Sequence, residues 1–373
     1  MRIGYDGKFF WQNAPFGARS GHGVHAIELL REMTVLDKVS AFSVYLIEDN
    51  SELPRQDNFR YITLPSVARS SLGRNLIAYP IELRRRPVDV LMAYSTLPAF
   101  VRCRTVLLLA DIFWMANPQW LPRRIAAPRT IATRLSVRRA DRVVTTTEFS
   151  KREIMRYLDV PEDRIDIVPH GIRTKFLDGG EPGAIERVRE RYRIGGDYVL
   201  SINDIHPRKN LVGLLTAWEH VRARTDLPHK LVLVGRTLWE YPEFFRAVER
   251  SRYKDDIILP GYVEADDIGP LYRGATLFVY PSFYEGWGLQ VHEAMSSATP
   301  VAIANNTTMP EISGGAAAEF DPYDIDDMAN VITRVLMDAE LRKQMVARGL
   351  KQVRKYSWTE AARQTLAICY QLV

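Results

Sequence analysis

The residues with the clearest chemical content lie between Phe278 and Pro300, in the stretch FVYPSFYEGWGLQVHEAMSSATP. An apolar run from Ala275 to Tyr280 reads as a buried strand. Pro281 stops it, and the turn Glu285-Gly286-Trp287-Gly288-Leu289 leads into an apolar-periodic helix beginning near Gln290. A strand, a glycine turn and a helix N-terminus in this order suit an anionic, phosphate-like group. Two carboxylates flank the site, Glu285 in the turn and Glu293 on the helix. Eight residues along a helix separate them by roughly 12 Å. A retaining glycoside hydrolase instead sets its acid and its nucleophile about 5 Å apart. The two carboxylates are therefore read as doing different jobs.

The elements that must position this turn alternate between strand and helix. Arg2-Ile3-Gly4-Tyr5-Asp6 reads as a first strand, followed by a long glycine-containing loop from Phe16 through Gly21-His22-Gly23. A helix with apolar residues at Val24, Ile27, Leu30 and Met33 comes next. The loop carries no GxGxxG, so a nicotinamide-cofactor fingerprint is not met. Further strands are expected at Ser43–Ile47, Val88–Met92, Val106–Leu109, Arg142–Thr146 and Ile165–Val168. A helix is expected from about Arg129 to Arg139, and a capped one opens at Thr147-Glu148-Phe149-Ser150. A second series opens at Tyr198–Ile202 and continues at Lys230–Val234, Ile257–Leu259, Ala275–Tyr280 and Pro300–Ala304. Helices at Asp324–Met337, Ala339–Lys355 and Thr359–Tyr370 close the chain. The alternation predicts an α/β protein with two Rossmann-like parallel-sheet domains facing each other across a cleft. The first is expected over residues 1–175, with a C-terminal helix at about 357–373 packing back on it. The second is expected over 176–356.

Composition narrows the class. At 373 residues with 46% hydrophobic content, two cores are expected. Cys103 and Cys369 form no CxxC or ligand pattern, so neither a disulfide framework nor a zinc site is expected, and a reducing, cytoplasmic location fits. The start runs straight into a strand with no leader pattern, and no apolar run approaches the roughly 20 residues that span a bilayer. Residues 1–170 carry 25 Lys and Arg against 18 Asp and Glu, and the remainder 25 against 27. Arg84-Arg85-Arg86, Arg123-Arg124 and Arg138-Arg139 in the basic half suggest an anionic partner such as a headgroup or a lipid-linked phosphate, or solvated helix faces. A nucleic-acid role would rest on this basic half alone and ranks last.

Several ordered motifs then point one way. They are Gly261-Tyr262-Val263, Leu271-Tyr272-Arg273-Gly274-Ala275, Pro281 to Leu289, Glu293-Ala294-Met295, Thr299-Pro300-Val301 and Pro310-Glu311. The series resembles retaining glycosyltransferases of family 4, with the GT-B fold, in the bacterial mannosyltransferase-like branch. The resemblance covers roughly 195–360 with high specificity and the first half more loosely, through the glycine loop and Pro169-His170-Gly171. It implies a nucleotide-sugar donor, GDP-linked or UDP-linked, with no metal and no further cofactor, and a glycan, lipid-linked or small-molecule acceptor. It also implies front-face transfer in which the departing phosphate takes the acceptor's proton.

By this resemblance Arg208 and Lys209 grip the diphosphate, Glu285 touches the sugar hydroxyls, and Glu293 accepts from the ribose hydroxyls. Gly286, Trp287, Gly288 and Leu289 lie against sugar and phosphates, and Gly21 and Gly23 let the first domain's backbone approach the β-phosphate. Tyr262 and Val263 lie by the base pocket. Two departures stand out. Many relatives carry an arginine where this chain has Asp204, and Arg208 is read as taking over its charge. Many carry His-Asp where this chain has Ala110-Asp111. Three readings of the second stay open: a donor lacking the 6-hydroxyl, Asp111 acting as substitute, or reduced activity. His25 is read as a partly buried helical residue rather than an acceptor contact.

The stretch from Ser70 to Pro87 mixes Leu72, Leu76, Ile77 and Ile81 with arginines. It either rests peripherally on an anionic membrane or packs on the sheet, and Pro80 is expected to break any single long helix there. Rival functions are a GT-B epimerase or phosphorylase, and a weakly active nucleotide-sugar binding partner.

Overall fold

The computed structural model describes residues 1–11, 20–237 and 241–373, so Phe16 to Arg19 of the glycine loop lie outside the described residues. Among the described residues the chain forms two compact units, Met1–Gly171 with Tyr356–Val373, and Ile172–Lys355. Each is a twisted parallel sheet covered by helices.

The first sheet contains β1 (Arg2–Gly7), β2 (Ala41–Leu46), β3 (Phe59–Thr63), β4 (Val90–Tyr94), β5 (Arg104–Leu108), β6 (Arg142–Thr145) and β7 (Ile165–Ile167). Their order is β3-β2-β1-β4-β5-β6-β7, all parallel. The second contains β8 (Tyr198–Ile202), β9 (Lys230–Val234), β10 (Ile257–Gly261), β11 (Leu277–Tyr280), β12 (Val301–Ala304) and β13 (Ala318–Phe320), in the order β10-β9-β8-β11-β12-β13. Central strands of a doubly covered parallel sheet face apolar surroundings on both sides. That is why β4, β11 and β12 are buried at every residue and read as unbroken apolar runs. Strand order reverses beside β1 and β4 in one sheet, and beside β8 and β11 in the other. Open α/β sheets bind ligands outside the carboxyl ends of strands at such a reversal.

The C-terminal helix, Trp358–Gln371, packs on the Gly21–Leu36 helix of the first unit. Thr359 donates to Glu32 at 2.8 Å, and the Tyr370 hydroxyl to Asp37 at 2.5 Å. The Trp358 ring lies against His170 and His25, whose own rings stack 4.3 Å apart. Gly171 belongs to the same junction: a Cβ there would collide with the Trp358 backbone nitrogen. The first unit therefore ends at Gly171, four residues before the boundary read from sequence.

Other local readings are corrected. The glycines at 21 and 23 are not loop: the helix starts at Gly21, and Ser20 caps it by accepting from the Gly23 N–H at 3.1 Å. The helix expected at Arg129 starts at Arg123 and carries Pro128 inside it. Proline disfavours helical backbone in the residue before it, which made the later start the natural reading. Pro80 does not break the helix around it. Ser71–Gly73, a wide turn Arg74–Ala78 and Tyr79–Arg85 run on continuously, the Tyr79 N–H reaching the Arg74 carbonyl five residues back. β3 and β13 went unread. β13 is three residues long, and β3 mixes exposed and buried positions at the sheet edge.

Replacing Gly171 by Ala should lower stability by about 1–3 kcal/mol through overpacking against a backbone that cannot move aside. Gly179, where an added Cβ would meet nothing within 4 Å, is the control. We expect thermal unfolding to show a midpoint several degrees lower for Gly171→Ala and unchanged for Gly179→Ala. Equal midpoints for both variants would contradict this packing.

Candidate active site

The second unit gathers charge at its strand-order reversal. After β8 the chain runs through Asn203 to His206 into a single tight turn, Pro207–Lys209. His206 holds the turn: its Nδ1 accepts from the Arg208 N–H at 3.0 Å and its carbonyl from the Lys209 N–H at 2.9 Å. Asn210 closes it in left-handed backbone (φ 52°), a conformation asparagine tolerates, and donates to the Pro322 carbonyl at 2.9 Å. The loop after β11 is tied to this turn by the Phe283 N–H, which donates to the Arg208 carbonyl at 2.9 Å. Two loops from neighbouring strands thus become one rigid floor.

Glu285 occupies the centre of that floor. Its carboxylate takes Lys209 Nζ on Oε1 at 2.5 Å and Arg208 Nη1 on Oε2 at 2.8 Å. Lys209 also donates to the Tyr280 hydroxyl at 3.0 Å, and Arg208 to the Tyr284 carbonyl at 2.5 Å. All three charged side chains are at least four-fifths buried. Burial by itself would raise the Glu285 pKa, but Arg208 and Lys209 more than offset it and bring it down to about 2. Burial lowers the Lys209 pKa, with Glu285 opposing. His206 is held down at about 4 by burial and by the two neighbouring cations, so it is neutral at physiological pH.

Beyond Glu285, Gly288 takes φ 97°, which an L side chain rarely adopts, and a Cβ there would meet Met309 Cε at 2.7 Å. The helix that follows, Leu289–Ser296, starts one residue earlier than read from sequence and carries Glu293 inward. Glu293 is buried. Its Oε1 pairs with Arg173, and its Oε2 accepts from the Tyr272 hydroxyl at 3.3 Å. Arg173 is itself braced over the Phe176 ring, 4.8 Å from its centroid.

The structure brings Arg208, Lys209 and Glu285 into direct contact, with Trp287 and Gly288 buried beside the same turn and Leu289 half-buried at the start of the helix. Of the base-pocket pair, Tyr262 is exposed and Val263 is buried. Gly21, Gly23 and Asp111 belong to the first unit. The Asp111 carboxylate accepts from the Phe113 N–H at 3.3 Å. His25 is half-buried against His170 and Trp358, with Nδ1 3.2 Å from the Tyr94 hydroxyl, and burial brings its pKa down to about 3.

Sequence reasoning missed three partners. Arg173 pairs with Glu293 across 120 residues of chain, and Tyr280 looks like one more apolar strand residue until the fold sets its hydroxyl on Lys209. Arg236, just past β9, makes a bidentate pair with Asp204 at 2.9 Å on both oxygens. A guanidinium thus stands beside the position where the sequence alone shows only an acid. The buried Asp6 of the first unit, on the Tyr79 hydroxyl (2.6 Å) and Lys8 (3.3 Å), was likewise unread.

Set against known proteins, the chain matches two family models, "Glycosyl transferases group 1" over residues 185–352 and "Glycosyltransferase Family 4" over 19–176. It is 34% identical over 264 residues to the O-antigen chain mannosyltransferase B of Escherichia coli, covering 70% of this chain and 69% of that one. It is 28% identical over 230 residues to the serotype-specific mannosyltransferase WbdA of Escherichia coli, where the match spans 60% of this chain but only 28% of the relative. Among solved structures, sucrose-phosphate synthase from Thermosynechococcus elongatus superposes with a TM-score of 0.78 at 17% identity, over 100% of this chain and 99% of that one, which shows a shared fold.

Changing Glu285 to Gln leaves two buried cations without their counter-charge, at a cost on the order of 3 kcal/mol near neutral pH. Because the folded pKa lies below the ordinary 4.5, this stabilisation is complete above about pH 4.5 and fades as pH falls toward 2. Denaturant unfolding of both proteins at pH 7, 5, 4 and 3 should show a constant gap down to about pH 5 and a shrinking one below it. A gap that widens on acidification would show that Glu285 is not held as the anion.

Proposed function

The chain belongs to the family 4, group 1 glycosyltransferases, with the GT-B fold, and from that premise we propose that it transfers a mannosyl unit, with retention, from a GDP-sugar to a growing bacterial surface glycan. The observation that carries the reading is the buried Arg208–Glu285–Lys209 cluster at the reversal beside β8 and β11. A leaving nucleoside diphosphate gains negative charge as the glycosidic bond breaks. Fixed cations there stabilise the transition state more than the ground state. Glu285 holds both cations in place, and the N-terminus of the Leu289–Ser296 helix adds backbone donors suited to phosphate. Both Escherichia coli relatives are mannosyltransferases, and one is named for the O-antigen chain, which supports mannose and an O-antigen-type acceptor.

In the step itself the bond from the sugar C1 to the β-phosphate oxygen breaks, and its electron pair leaves on the phosphate. The acceptor oxygen bonds to C1 on the same face, and its proton passes to that departing phosphate. No protein nucleophile and no metal take part. Glu285 orients the sugar and its two cations, and Glu293 accepts from the ribose hydroxyls once Arg173 shares or yields its carboxylate.

A mannosyl donor carries a 6-hydroxyl, so this reading sets aside the 6-deoxy donor considered for Ala110 and leaves Asp111 as the substitute, or reduced activity. We expect GDP and GDP-mannose to raise the thermal midpoint while UDP and UDP-glucose do not. GDP release from GDP-mannose should require an added mannan-type acceptor, and GDP-fucose should turn over poorly. Lys209→Met should cut kcat by about a hundredfold to a thousandfold, whereas Glu293→Gln should chiefly raise the donor KM. UDP-sugar preference overturns the base; acceptor-independent turnover, or product formed with inversion, overturns the reaction.

A further inference from the structure

Three segments of the first unit share one face. By the right-handed crossover rule, the connections β3 to β4 and β5 to β6 lie on the side of the sheet opposite the Gly21–Leu36 helix. The first connection contains the 71–85 helix, and the second the Arg123–Arg139 helix. Between them runs the β4–β5 loop, which is bonded to both. The Ala99 N–H donates to the Asn75 carbonyl at 2.8 Å. On the other side the Leu97 N–H donates to Ser136 Oγ at 2.8 Å, and Arg139 donates to the Leu97 and Pro98 carbonyls. The surface is therefore continuous.

Its outer side chains are unusual for a solvated face. On the 71–85 helix Leu72 is 74% exposed, and Leu76, Ile77 and Ile81 about half. On the other helix Ile131 is 60% and Leu135 53% exposed, four residues apart on one stripe. At the centre of the loop Phe100 is 74% exposed and held at φ 55°, an outlier for an aromatic residue. Scattered single apolar residues need no explanation, but a joined set on three bonded segments does. Residues 66–86, 95–103 and 121–139 contain twelve arginines and one acid, Glu82, which is buried on Arg86.

We infer that this face is a docking surface for an anionic lipid bilayer, with Phe100 and the aliphatic side chains entering the interface and the arginines meeting headgroup phosphates. Exposed apolar groups interleaved with arginine, without acids, are the pattern of an interfacial amphipathic element. Charge opposes face-to-face pairing of two copies, because two such faces would repel. No described helix is long and apolar enough to cross a membrane, so the contact is with its surface. The inference does not depend on the identity of the donor. It brings the protein to the membrane face where a lipid-linked acceptor would be held.

The test is cosedimentation with vesicles of phosphatidylcholine alone and of phosphatidylcholine mixed with phosphatidylglycerol. We expect binding only to the mixed vesicles, weakening as salt rises. Replacing Arg84 and Arg85 by Gln, which leaves the Arg86–Glu82 pair intact, should weaken it roughly fivefold per arginine. A Leu76→Asp/Phe100→Asp/Ile131→Asp variant should not bind. These side chains are exposed, so thermal midpoints and GDP-induced shifts should match the parent, separating loss of docking from loss of fold or of the donor site. Absence of binding to mixed vesicles, or binding untouched by the aspartates, overturns the inference. Tight binding to polyglutamate in preference to mixed vesicles also overturns it, in favour of an acidic protein partner.

Discussion

Much of the second unit depends on one buried cluster, a carboxylate holding two cations where β8 and β11 end. Taking three charges out of water is costly, and mutual attraction repays the cost only when the geometry is good and remaining polar atoms are paired. Here the pairing extends outward. Tyr280 receives Lys209, the Tyr284 carbonyl receives Arg208, and His206 and Phe283 lock the backbones that carry them. An apolar replacement of the same volume would suit stability as well. What it would not supply is a fixed pair of cations, which the proposed departure of a diphosphate would use.

The same logic explains why the second carboxylate lies apart. Glu293 is buried by a different set, Arg173 and Tyr272, and Arg173 comes from the first residues of the unit. Neither carboxylate contacts the other's cation among the described residues. The two acids are thus held by separate sets of partners, as the proposed division of labour between the two ends of one donor requires. Arg236, just past the neighbouring strand β9, is held by Asp204 in a bidentate pair of its own.

In the first unit, the chain's last helix is held by specific contacts: Trp358 on His170 and His25, Thr359 on Glu32, and Tyr370 on Asp37. The opposite face of that sheet carries the arginine-rich, apolar-studded surface. The glycine-bearing helix start and the basic face thus belong to two sides of one sheet.

The strand–helix alternation was legible in the sequence because buried parallel strands must be apolar along their whole length, and β4, β11 and β12 are. Glu285 and Glu293 could be picked out along the chain because a turn and the helix after it are local features, whereas Lys209 stood out only through its resemblance to the family's basic turn. Edge strands β3 and β13 were not, being half-exposed or three residues long, and neither was a helix that passes through Pro80 on a widened turn. Tertiary structure alone decided the partners: Tyr280 on Lys209, Arg173 on Glu293, Arg236 on Asp204, and Leu97 to Ala99, just before Phe100, bonded between two arginine-bearing helices. The physical reason is range. Periodicity and turn chemistry act over a few residues and can be read along the chain. Charge pairing and surface continuity act over a few ångströms between residues as many as 120 positions apart, and only the folded backbone sets which of them meet.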